Sequence, residues 1–106
     1  MALHHAAPGE KVRLASVRDT AQGGTAALVK TDAFEAVQLF LRAGEEIAGH
    51  SVAGYAILHC LEGSLELRAP DGLRLQAGDW VYLDRGQHHS LSAFEDSAVL
   101  LTILFE

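Results

Sequence analysis

Nine short apolar runs, each closed by turn residues, limit what this chain can fold into more than any motif it carries. They are VRLASV (12–17), TAALVKT (25–31), FEAVQLFLRA (34–43), AGYAILHCLE (53–62), SLELRA (64–69), LRLQA (73–77), DWVYLD (79–84), HSLSAF (89–94) and SAVLLTILF (97–105). Leu65 and Leu67 alternate with Glu66 and Arg68, and Leu73 and Leu75 with Arg74 and Gln76. This is the period of a strand with one face buried. Pro70-Asp71-Gly72 between two such runs predicts a hairpin turn with Gly72 at positive φ. No window sustains an i, i+3, i+4, i+7 stripe over three turns. Residues 33–42 come nearest, with Asp32 as a cap for Ala33, Phe34, Val37, Phe40 and Leu41, and the strand reading is adopted there. Eight or nine short strands in one small chain imply an all-β sandwich or closed barrel. The final run is apolar on both faces, so it is expected to lie centrally or beneath another subunit, which points to a homodimer.

At 106 residues the chain fits one domain. The expected division is an N-terminal arm with a first strand at 1–24, where small and polar residues and the AQGG break dominate, and a barrel domain at 25–106. With 14 acids against 8 bases and a net charge of −6, there is no basic run, which excludes nucleic acid and anionic membrane as partners. The longest apolar run is too short to span a bilayer, and the N-terminus shows no basic region followed by an apolar stretch. The single cysteine, Cys60, permits no internal disulfide and no CxxC pair. A cytoplasmic location is expected.

Chemistry concentrates in two segments, GHSVAGYAILHCLEG (49–63) and AGDWVYLDRGQHHS (77–90). Alternate residues of a barrel strand point inward, so ligands at i and i+2, a carboxylate soon after and a histidine from a neighbouring strand can share one metal ion. The two segments resemble the paired motifs of the cupin superfamily. In the first, Gly44, His50 and Gly63 fall in register, while Val52 stands at the second histidine and Ala56 at the glutamate. In the second, Gly78, Gly86 and His89 match, with Asp84 in place of proline and Ala93 in place of asparagine. The resemblance covers roughly residues 34–104 and is similar to small single-domain bacterial cupins.

The resemblance implies a jelly-roll barrel whose scaffold glycines are present and whose metal site has lost two of four ligands. His50 and His89 are the candidate ligands for a divalent ion (iron, manganese, zinc or nickel). Two imidazoles alone hold such an ion weakly, because catalytic sites usually have three protein ligands and an open position. Val52, Ala56, Leu58 and Gln38 are the candidate pocket lining. If Ala56 faces inward, so do Leu58 and Cys60, with Ile57 and His59 outward. Cys60 then lies roughly 13 Å along the strand from Ala56, too far for a third ligand. Glu45 and Glu46 are expected in a solvated turn, His88 in another, and His4 and His5 in a flexible end. Trp80 and Tyr82 are expected in core or subunit packing. The expected function is small-molecule binding in the barrel, the alternative a metal-dependent dioxygenase- or isomerase-like enzyme with water or substrate completing the coordination.

Overall fold

A computed structural model describes residues 5–20, 23–69 and 71–105, and His50 through its main chain only. His4 and Pro70 lie outside the described residues. The strands are β1 (Gly24–Lys30), β2 (Phe34–Leu41), β3 (Glu46–His50), β4 (Tyr55–Glu62), β5 (Ser64–Arg68), β6 (Gly72–Gln76), β7 (Trp80–Leu83), β8 (His89–Ala93) and β9 (Ser97–Leu104). They form two antiparallel sheets with the orders β1-β2-β9-β4-β7 (sheet A) and β3-β8-β5-β6 (sheet B). Apart from the β1–β2 and β5–β6 hairpins, every consecutive pair of strands crosses from one sheet to the other. That alternation is a jelly roll, the architecture expected from the sequence. Among the described residues, no helix is long and apolar enough to cross a membrane.

The core forms because alternate residues of most strands turn inward. Leu39 of β2 pairs with Val99 of β9, which pairs in turn with Cys60 of β4; one layer on, Val37, Leu101 and Leu58 align likewise. Across the interior, sheet B contributes Leu65, Leu67, Leu75, Leu91 and Ala93. Leu58, Cys60, Leu65 and Val99 are completely buried. Each such aliphatic side chain contributes roughly 1.5–3 kcal/mol on leaving water.

The four motif glycines Gly44, Gly63, Gly78 and Gly86 all take positive φ, between 69° and 97°. Gly63 shows why. It alone links β4 to β5 across the two sheets, at φ 88°. A Cβ there would lie 2.4 Å from the Asp96 carbonyl oxygen. Gly72, by contrast, does not take positive φ; it opens β6 directly, and its missing Cβ leaves room for the Glu66 carboxylate.

Two sequence expectations are corrected here. Residues 12–17 form no strand: the arm crosses the outer face of sheet A, where neighbouring strands already use the main-chain groups, so side chains hold it instead. Gln38 Nε2 donates to the Ala15 carbonyl and the Ala15 N–H donates to Gln38 Oε1, at 2.5 and 3.1 Å. Glu62 accepts from the Ser16 hydroxyl and the Val17 N–H, at 2.8 and 2.6 Å, and a 3-10 turn (Val17–Asp19) follows. Second, Glu46 is not in a turn but begins β3, which the sequence pattern missed. β9 lies centrally between β2 and β4, the first of the two placements expected for it.

Candidate functional site

His50 ends β3 and His89 begins β8, and the antiparallel register sets the two directly opposite each other. Opposed positions in such a pair have Cα atoms roughly 4.5–5.5 Å apart. His89 shares the inner face with Leu91 and Ala93 and is only 2% exposed. Its Nδ1 lies 3.3 Å from the Gln87 carbonyl oxygen. A proton on Nδ1 completes that hydrogen bond and leaves the lone pair on Nε2, the arrangement that fixes a tautomer and orients a ring.

The rim around this pair is stitched by main-chain bonds. The Gly86 N–H donates to the Val52 carbonyl at 3.0 Å, tying the β7–β8 loop to the β3–β4 loop. Gln87 Nε2 donates to the Ala69 carbonyl at 2.9 Å, while Gln87 Oε1 accepts from the Asp84 N–H. His88 is exposed, and its ring occupies the space that a side chain at position 49 would need; Gly49 admits it. His88 and His89 therefore face opposite ways.

The lining differs in part from the sequence expectation. Val52 is half-buried against the core, and Ala56 and Leu58 face inward at 1% and 0% exposure. Gln38 belongs to the opposite face of β2 from Leu39 and Leu41, beneath the arm, so it does not line the interior. The strand period decides this, since position 38 has the parity opposite to the core residues. Grooves of about 180 and 520 Å³ lie elsewhere, one between β1, β2 and β3 and one between residues 5–8 and the β1–β2 hairpin; neither touches His89. His5 and Lys30 line the larger groove.

Cys60 is buried at the far end of β4 from Ala56, with its Sγ 3.5 Å from the Glu62 carbonyl. Burial, reinforced by the Asp79 carboxylate, pushes its thiol above the ordinary pKa, so it stays protonated at neutral pH and is a poor metal donor. Among the described residues, no three His, Cys, Asp or Glu side chains converge to hold a metal. Val52 and Ala56 offer no donor, so the residues present do not fit a full four-ligand centre.

The sequence matches no family model and no curated protein. Solved structures do match. A cupin superfamily protein from Desulfitobacterium hafniense superposes with a TM-score of 0.82 at 15% identity, covering 100% of both chains. The chain has the cupin fold. An RmlC-like cupin family protein with a double-stranded β-helix fold, from Methanocaldococcus jannaschii, matches with a TM-score of 0.76 at 19% identity over 91% of each chain. A conserved protein of unknown function from Streptococcus pyogenes matches with a TM-score of 0.80 at 22% identity, covering 100% of this chain and 98% of that one. Against the cupin fold, the register pairing of His50 with His89 was the site feature that sequence spacing could not supply.

Proposed function

We propose that this cupin-fold chain is a binding module for a small, mostly apolar molecule held at the barrel mouth. The observation carrying the reading is the inner wall: Val52 and Ala56 are neutral where the cupin motif would place a histidine and a glutamate, and they adjoin apolar Leu58, Leu83 and Ile103. Such a wall suits an uncharged ligand oriented by one or two polar groups. Buried His89, with its Nδ1 set against the Gln87 carbonyl, is a polar group on this inner face.

The test is a two-dimensional NMR screen with a panel of neutral and monoanionic small molecules. Binders are expected to shift amides at 52–56, 89–91 and 101–103, and Ala56→Trp, which fills the wall, is expected to abolish the shifts. Binders that shift only residues 5–8 and 29–34 would contradict the reading and move the site to the outer groove.

A second reading is a metal-dependent cupin enzyme. It is favoured by one observation, the direct opposition of His50 and His89 in the β3–β8 register. A divalent ion held there would supply Lewis-acid polarisation of a substrate oxygen. Metal measurements separate the two readings.

A further inference from the structure

We propose that the groove between the N-terminal arm and the β1–β2 hairpin is a second ligand site, one that takes a phosphate monoester with an apolar body. The groove follows from an irregularity in β1. Ala27 pairs with Val37 and Val29 with Ala36, so Leu28 between them has no partner on β2. A residue skipped in this way bends its strand and turns its main chain aside. The Leu28 carbonyl accepts instead from the Ala6 N–H at 2.8 Å, which fixes the arm alongside the bend.

Both walls are held by their own hydrogen bonds. On the arm, Glu10 Oε1 accepts from the Ala7 N–H at 2.8 Å, and the Glu10 N–H donates to the Ala7 carbonyl at 2.9 Å. At the hairpin, the Thr31 hydroxyl oxygen accepts from the N–H groups of Ala33 and Phe34 at 3.0 and 3.1 Å. The space between is about 520 Å³, within the range of small-molecule sites. Ala6, Ala7 and Pro8 line one wall and Val29 and Phe34 the other, while His5 and Lys30 supply a polar donor from each.

Charge selects the head group. The chain carries a net −6, so an anion is drawn only where cations stand. Arg42, Arg68, Arg74 and Arg85 are engaged by Asp96, Glu66, Ser64 and Tyr55. Lys30 is exposed and closes no ion pair among the described residues, although Glu35 stands opposite it in the β1–β2 register. A phosphate monoester carries about −1.5 to −2 at pH 7, and its three acceptor oxygens can take the Lys30 ammonium and a His5 ring N–H together. A carboxylate brings fewer oxygens and less charge to the same two donors. Exposed charge pairs contribute little alone, so the affinity also needs an apolar body against Pro8, Val29 and Phe34.

Two-dimensional NMR on the full chain tests this with 1-naphthyl phosphate, inorganic phosphate and 1-naphthol. The ester is expected to shift amides at 6–7 and 28–34 with a dissociation constant below about 1 mM, and each fragment to bind there at least ~10-fold more weakly. Lys30→Met and His5→Ala should each weaken the ester at least ~5-fold, and Glu35→Gln should tighten it. Lys11→Met, which removes a cation outside the groove, should leave it unchanged. All four positions lie at the surface, so circular dichroism melts should stay near wild type. The barrel-mouth reading is judged on amides 52–56, 89–91 and 101–103, so the two proposals fail separately. No shift at the groove, equal binding of 1-naphthol there, or an affinity that ignores both Lys30→Met and His5→Ala would overturn the second site.

Discussion

The informative residues of this chain are those whose neighbours leave them no alternative. Gly63 combines positive φ with contacts that a Cβ would violate at the Asp96 carbonyl and at Ser97. Gly63→Ala is therefore expected to lower stability by more than ~2 kcal/mol, read as a lower urea midpoint at unchanged slope. Cys60 makes a pH prediction. Its thiol pKa is raised in the folded state, so the folded chain keeps the proton at pH values where the unfolded chain loses it. The contribution is present below the unfolded thiol pKa and is lost as pH rises through the folded one. Wild-type stability should fall on the alkaline side, and Cys60→Ala should flatten that fall in urea melts taken across the thiol range. Both residues could be picked out in the sequence, Gly63 as a motif glycine and Cys60 by strand parity. For Gln38, strand parity gives the face but not the partner, because the Ala15 main chain that engages it belongs to an arm that forms no strand.

At the scale of elements, eight of the nine strands among the described residues were legible and one was not. β4, β5 and β9 announce themselves through alternation or continuous apolar character. β3 contains one large apolar residue, Ile47, and it is a strand because β8 supplies its partners. Tertiary pairing of that kind leaves no trace in local pattern. The arm shows the converse. VRLASV has a strand's composition but crosses a sheet face, where Gln38 and Glu62 satisfy it through side chains. Replacing both, Gln38→Ala with Glu62→Ala, should release the arm while leaving the barrel closed. Limited trypsin digestion at Arg13 and Arg18 is expected to quicken at least ~10-fold, because local opening and not global unfolding then limits cleavage. Unchanged digestion would mean that the two side chains do not hold the arm.

For the whole molecule, the cupin fold follows from crossing connections that the scaffold glycines permit, and it was legible in their spacing. The site was legible only in part. The sequence names the positions where ligands are missing, whereas the opposition of His50 and His89 depends on how β3 meets β8. The central claim is that the barrel presents a neutral wall beside buried His89, with His50 opposite it in the β3–β8 register and, among the described residues, no three metal-donor side chains together. Val52→His with Ala56→Glu restores the two absent donor types, and the buried, unpaired carboxylate should cost roughly 3–5 kcal/mol until metal binds.

The most direct measurement is calorimetric titration of Zn²⁺, Mn²⁺, Ni²⁺ and Fe²⁺ into metal-stripped wild type, beside His50→Ala, His89→Ala and the restored double variant. The account predicts no site tighter than ~10 µM in the wild type and one equivalent bound by the double variant. One equivalent bound tightly by the wild type, and lost in both alanine variants, would contradict it.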